Sequence, residues 1–151
     1  MEIVDFQPDH ASAFKALNEA WISRYFAIEP KDREVLGDPA GKVLAPGGHI
    51  FMAVEDGAAI GCVALMAMPG GGFEVAKMAV IEAHKGRGVG RELMAACIER
   101  ARQLGVTRLY LETNSGLAPA LGLYRRFGFQ DVQPAEPSPY ARADVMMELL
   151  L

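Results

Sequence analysis

The spacing of apolar and polar residues changes period along the chain, and each change marks an element. Residues 2–7 alternate weakly, with the two-residue period of a half-buried strand. Pro8-Asp9 then opens a helix with Asp9 as its N-cap, and Ala13, Phe14, Leu17, Trp21 and Tyr25 recur in it at three- and four-residue steps. Residues 29–48 are interrupted by Pro30, Pro39, Pro46 and several glycines, so one or two short helical pieces between longer loops are expected there. Residues 50–54 and 59–68 read as strands joined by the hairpin turn Glu55-Asp56-Gly57. A second turn, Pro69-Gly70-Gly71-Gly72, leads into residues 73–81. These are apolar on both faces apart from Glu74 and Lys77, as a central strand would be.

The clearest helix spans residues 88–104. Val89, Leu93, Cys97, Ala101 and Leu104 form its apolar stripe, and Gly105 ends it as a C′ glycine. A strand over 106–111 follows, then the cap cluster Thr113-Asn114-Ser115 and a helix to about residue 127. Residues 128–132 and 141–150 are the last strands, joined by a loop that carries Pro134, Pro137 and Pro139. The order β-α-α-β-β-β-α-β-α-β-β predicts one mixed α/β domain over residues 1–151, its sheet covered by helices.

Composition narrows the class of protein. A chain of 151 residues that is 51% hydrophobic and 23% charged can bury a real core. No apolar run reaches the roughly 20 residues of a membrane span, and Met1-Glu2-Ile3-Val4-Asp5 is acidic where a signal peptide would be basic, so a cytoplasmic protein is expected. Cys62 and Cys97 lie in apolar segments without metal-ligand spacing and read as core residues; no metal site is expected. The net charge of -4 argues against nucleic-acid binding. Lys85, Arg87 and Arg91 nevertheless crowd one glycine-rich stretch, which points to a small anionic ligand.

That stretch is Lys85-Gly86-Arg87-Gly88-Val89-Gly90, set between a strand and a helix. A helix N-terminus offers unpaired amides and partial positive charge, and glycines let a phosphate approach them. The Gly-Lys-Ser/Thr of a nucleotide-binding P-loop is absent, and the glycine spacing does not fit a dinucleotide fingerprint. The alternative is a plain turn with solvated basic residues.

Lys85-x-x-Gly88-x-Gly90 in this setting resembles the acyl-CoA pyrophosphate loop of the GCN5-related N-acetyltransferases (GNAT), Gln/Arg-x-x-Gly-x-Gly/Ala, with Lys85 departing at the first position. Leu123-Tyr124-Arg125-Arg126-Phe127-Gly128-Phe129 resembles the same family's Leu-Tyr-x-x-x-Gly-Phe signature. The resemblance implies an α+β fold with a mixed, mostly antiparallel twisted sheet flanked by helices. It implies an N-acetyltransferase that moves an acetyl group from acetyl-CoA to a primary amine by direct attack in a ternary complex. Lys85, Gly86, Arg87, Gly88, Val89, Gly90 and Arg91 would hold the pyrophosphate, and Met78, Ala79 and Val80, on a strand splayed from its neighbour, the pantetheine arm. The Met78 amide would stabilise the oxyanion, Tyr124 would protonate the thiolate, and Glu74 would be the general base. Asn114 reads either as a helix cap or as a cofactor contact.

The chemistry asks for the same groups. An amine is mostly protonated at neutral pH, so a carboxylate with a raised pKa suits its deprotonation. Neither Cys62 nor Cys97 is needed, and none of His10, His49 and His84 is read as a catalyst. Arg125 and Arg126 read as solvated. For the acceptor, family members use the first helices and the loop before the last strand; here these supply Trp21, Tyr25, Phe26, Glu29 and Tyr140, with Arg24 nearby. Aromatic rings beside carboxylates suit an amine on an apolar body, of small-molecule or peptide type. The last strands offer a surface for a homodimer. The rival reading is a catalytically silent acyl-CoA sensor or interaction module, which would need neither Glu74 nor Tyr124.

Overall fold

The computed structural model describes residues 1–151. Its elements are β1 (Glu2–Asp5), α1 (Ala11–Tyr25), α2 (Pro30–Gly37), β2 (His49–Glu55), β3 (Ala58–Ala67), β4 (Phe73–Val80), α3 (Val89–Gln103), β5 (Arg108–Thr113), α4 (Ala118–Arg126), β6 (Gln130–Asp131) and β7 (Val145–Leu150). They build one seven-stranded sheet in the order β1-β2-β3-β4-β5-β7-β6. Only β4 and β5 pair in parallel; every other neighbouring pair is antiparallel. The mixed, mostly antiparallel sheet expected for the fold is present, with β4 at its centre.

Each face of the sheet carries its own core. Leu93, Met94, Cys97, Ile98 and Ala101 of α3, with Leu121 of α4, close one face over Val63, Leu65 and Leu109. Phe14 of α1 and Val35 and Leu36 of α2 close the other over Met52, Cys62 and Ala64. The β2–β3 hairpin turns at Asp56 and Gly57, both with positive φ (51° and 78°), the signature of a type I′ turn. The 29–48 stretch holds α2 and a π-helical turn at Ala40–Leu44. Cys62 and Cys97 are both free and buried in these cores.

Several boundaries differ from the sequence expectation for physical reasons. Asp9 is not the cap of α1. A 3₁₀ turn at Pro8–His10 precedes the helix, and the Gln7 amide donates to His10 Nδ1 at 2.9 Å. The fully buried stripe of α1 is Phe14, Asn18 and Ile22. Of the expected row, Phe14 belongs to it, Ala13, Leu17 and Trp21 pack half-buried at its edge, and Tyr25 is exposed. Asn18 can be buried because its amide donates to Phe14 O at 3.0 Å and to Cys62 Sγ at 3.3 Å. Leu104 is 52% exposed, lying past the last buried turn of α3. Val106 does not start β5. Its amide bonds Ala101 O at 2.9 Å, and Gly105 N bonds Arg102 O at 3.1 Å, which completes a Schellman motif.

At the other end of the chain, β6 shrinks to two residues and β7 starts at Val145, because 141–144 are held by side chains instead. The Ala141 amide donates to Glu29, the Arg142 guanidinium to Asp32, and Ser115 to Asp144. Thr113-Asn114-Ser115 caps no helix, since α4 begins at Ala118.

Two irregularities in the central strand make room for a site. β4 pairs with β5 only at Phe73↔Leu109 and Glu74↔Tyr110, after which the strands part. On its other edge, β4 pairs Ala76 with Ala64 and Ala79 with Cys62, so Lys77 and Met78 together oppose Val63. Lys77 takes φ +56° in this bulge, a rare conformation for a residue with a Cβ. The extra residue reverses the strand's alternation. Phe73 and Val75 pack on the α3 side, Ala79 packs on the α1–α2 side, and Met78 and Val80 return to the α3 side.

Candidate active site

A cavity of about 970 Å³ opens where β4 and β5 separate. It is lined at one end by the loop before α3 and at the other by the end of α1 and the loop before β7, with α4 along one wall. Every catalytic, cofactor and acceptor residue expected from the sequence lines it except Glu29.

The first end is shaped for an anion. Gly86 and Gly88 have φ of +81° and +84°, which lets the loop turn tightly into α3. The amides of Gly88, Val89, Gly90 and Arg91 have no partner in the chain, the first helical bond running from Glu92 N to Gly88 O at 3.1 Å. Arg87 and Arg91 line the same end. Arg126, exposed on α4 as expected, also lines this cavity. Lys85 also lines it, but its ammonium is 2.9 Å from Glu82 and 5.0 Å over the Tyr25 ring. Arg24 pairs with the same carboxylate at 3.6 Å. His84 anchors the loop from behind through Glu55, Nε2 to Oε2 at 2.7 Å. Unpaired amides, left-handed glycines and arginines together fit the diphosphate of a coenzyme A.

Along the middle, Met78 and Val80 are half-buried on β4. Tyr124 faces them from α4, its ring 6.1 Å from that of Phe129. Burial pushes the Tyr124 phenol up to about 12, so it keeps its proton at neutral pH. Asn114 reaches the wall but is engaged, donating to Arg142 O at 2.7 Å and accepting from the Gly116 amide at 2.8 Å. It ties β5 to the loop before β7.

The second end combines carboxylates, cations and rings. Burial, reinforced by the charge of Glu112, pushes the Glu74 carboxyl up to about 7. Beside it runs an ionic network that no local pattern in the sequence announces. Lys77 Nζ donates to Asp32 Oδ1 and to the Tyr140 hydroxyl, both at 2.8 Å. Arg142 grips Asp32 with two bonds of 2.7 Å and reaches Glu29 at 3.3 Å. Burial alone would raise the Asp32 carboxyl, but the Arg142 and Lys77 hydrogen bonds win and hold it well below the usual carboxylate range. Burial outweighs the Asp32 contact at Lys77, whose pKa falls. The Tyr140 ring lies under both cations, 4.4 Å from Lys77 Nζ and 4.6 Å from the Arg142 guanidinium.

Glu29 is not a wall residue. Its carboxylate takes the Ala141 amide at 2.9 Å and Arg142, so it fastens the loop that carries Tyr140. Trp21 and Phe26 line the cavity edge-to-face, with ring centres 6.2 Å apart. Tyr25, 46% exposed, stands at the rim. Glu112 also lines the cavity, accepting from Ser138 Oγ at 2.6 Å and from the Tyr110 hydroxyl at 2.8 Å.

The acetyltransferase (GNAT) family model matches residues 12–129. An uncharacterized N-acetyltransferase of Bacillus subtilis is 32% identical over 120 residues, 78% of each chain. Another, from Escherichia coli, is 30% identical over 65% of this chain, a match that spans 61% of the relative's length. Among solved structures, a Salmonella typhimurium putative acetyltransferase, determined with its cofactor acetyl-CoA, superposes with a TM-score of 0.78. It is 21% identical, over 99% of this chain and 93% of that one. No helix is long and apolar enough to cross a membrane. A family match over most of the chain, on a fold whose central strands part beside a helix with unpaired amides, places this protein in the GNAT acetyltransferase family, enzymes that take their acyl group from acetyl-CoA.

Proposed function

We propose that this protein acetylates a primary amine by direct attack in a ternary complex, with Glu74 as base and Tyr124 as acid. The observation that carries the reading is one cleft holding both a carboxyl raised to about 7 and a phenol that keeps its proton. Acetyl-CoA supplies the activated acetyl group, held by the amides and arginines around Gly88–Arg91.

The remaining work falls to the chain's own groups. An incoming ammonium must lose a proton before it can attack, and a carboxylate near pKa 7 accepts one without holding it too tightly. Glu74 ionises at neutral pH and stands on the wall that the acceptor reaches. Met78 is the second residue of the bulge in β4, beside the parting from β5, and we assign its amide as the fixed donor to the oxygen where charge develops. The Tyr124 hydroxyl makes no hydrogen bond to another protein group and is the proton source we assign on the opposite side of the cleft. Trp21, Phe26 and Tyr140 form the acceptor's walls. Two buried, free thiols suit a reducing compartment, and we place the activity in the cytoplasm.

The test is thermal unfolding with acetyl-CoA, with NADH and ATP as phosphate-bearing controls, followed by thiol release on adding amines. A ligand at 100 times its Kd stabilises by about 2.7 kcal/mol, roughly 5–10 °C for a domain of this size. The expected result is a shift with acetyl-CoA alone and thiol release that an amine accelerates. A shift that no amine converts into turnover would make the protein a silent acyl-CoA sensor, and no shift would remove the cofactor.

A further inference from the structure

The charges at the acceptor end of the cleft do not balance, and the imbalance has a sign. Lys77 and Arg142 are its two cations, and both are already paired. Lys77 is bound to Asp32, and Arg142 to Asp32 and Glu29. A carboxylate on the acceptor would have to draw one of them from a buried partner. Glu112 is in the opposite position. Its two hydrogen-bond partners, Ser138 and Tyr110, are neutral hydroxyls, and no cation pairs with it. A carboxylate has about four acceptor positions, so these two partners leave it room for another donor.

Placement gives that charge a use. Glu74 and Tyr110 are register partners where β4 and β5 still pair. Glu112 lies two residues further along β5, past the point where the strands part, and so on the same face as Glu74. Both carboxyls line the cavity, and the charge of Glu112 helps to raise Glu74. Trp21 and Phe26 add ring faces that Lys77 and Arg142 leave free, since those two cations lie over Tyr140.

On the reading of the cleft as an amine acetyltransferase site, we propose that its acceptor is an amine bearing a second positive charge and no carboxylate, with Glu112 receiving that second charge. The reacting ammonium goes to Glu74 and gives up its proton there. The distal ammonium goes to Glu112 and keeps its own. Glu112 is thereby the residue that sets specificity, and an α-amino acid is a poor fit.

Three matched amines test this: 1,5-diaminopentane, pentylamine and lysine, which differ only by an ammonium or a carboxylate. They are assayed with the full chain at saturating acetyl-CoA. The expected order of kcat/KM is diamine first, then monoamine, then lysine, with about a ten-fold advantage for the second charge. Glu112→Gln should bring the diamine-to-monoamine ratio close to one, and Glu112→Asp should restore most of it. A Glu112 that only fastened the loop through Ser138 would lower all amines alike and leave the ratio unchanged, which overturns the proposal. Lysine used as well as the diamine overturns it too. So does silence toward all three in a protein that acetyl-CoA still stabilises, while the cofactor reading stands; absence of the acetyl-CoA shift fells both.

Discussion

The ammonium of Lys77 lies 2.8 Å from the carboxylate of Asp32, and both side chains are out of solvent. The pair joins a strand bulge to a helix 45 residues away in sequence, and Arg142 closes the group from a third segment. Lys77 holds an αL conformation there, at φ +56°, and such strain persists only where surrounding contacts over-determine it. The contact that fixes the bulge also grips Tyr140. The shape of β4 and the wall of the acceptor pocket are therefore one structural unit.

Asp32→Asn should be strongly destabilising. It leaves the buried Lys77 and the half-buried Arg142 facing an amide, and losing one partner of a buried pair costs about 3–5 kcal/mol. The pH dependence has a definite sign. The Asp32 carboxyl titrates below its ordinary 3.8 when folded, so its contribution is complete above that value and is lost as pH falls below it. Urea unfolding of wild type and variant should show a wide gap at pH 7 that narrows below about pH 4. A gap that stays constant down to low pH would mean the carboxylate is not what holds the network.

Glu74→Gln should trade activity for stability. The Glu74 carboxyl is raised from 4.5 to about 7 by burial and by Glu112, so ionising it opposes folding. That penalty is absent below pH 4.5, grows through the interval and is complete above pH 7. The glutamine variant should melt a few degrees higher than wild type at about pH 8 and equally at about pH 4. Its kcat/KM should fall by about a hundred-fold, within the range for a lost general base. The acidic limb expected for wild type near pH 7 should disappear with it. A limb unchanged in the variant would assign the base elsewhere.

Tyr124→Phe separates chemistry from binding. The ring packs against the α3 core and Phe129, and a phenylalanine keeps that packing. The hydroxyl has no protein partner to strand. Stability and the thermal shift with acetyl-CoA should therefore change little, while kcat drops about ten-fold or more. Equal kcat in the two proteins would take Tyr124 out of the mechanism.

The parts of this site that can be read from sequence are the local ones. The turn Lys85–Gly90 enters a periodic helix directly, and Tyr124 precedes Gly128-Phe129 within one continuous segment. Tertiary contacts carry the rest. Arg142 and Asp32 are 110 residues apart, and neither looks like more than a solvated charge in its own segment. Lys77 reads as an interruption of an apolar strand, because its sequence holds no sign of the positive φ that turns it toward α2. Asn18 hides the buried face of α1, since a polar residue breaks the apolar stripe unless its partner, Cys62, is known. Glu29 shows the opposite error, a residue of suitable chemistry near the acceptor loop that is spent on fastening it.

Two glycines of the phosphate loop should respond differently to the same methyl group. Gly88 caps α3 at φ +84°, a region that costs an alanine about 1–2 kcal/mol. A Cβ there would meet nothing closer than Arg91 at 3.6 Å, so the cost is in the backbone and not in a clash. Gly90 is helical, and a Cβ on it would make ordinary contacts with Leu123 at 3.6 Å and Met78 at 3.8 Å. Alanine is worth about 1 kcal/mol over glycine inside a helix. Gly88→Ala should lower the melting temperature and weaken acetyl-CoA by about ten-fold, because relieving the strain swings the amides of the first turn out of line. Gly90→Ala should raise the melting temperature and bind acetyl-CoA within about two-fold of wild type. Calorimetric titration of both variants decides the matter. Equal losses of affinity would mean that the glycines serve close approach of the ligand, whereas a loss confined to Gly88 ties the phosphate site to one left-handed residue.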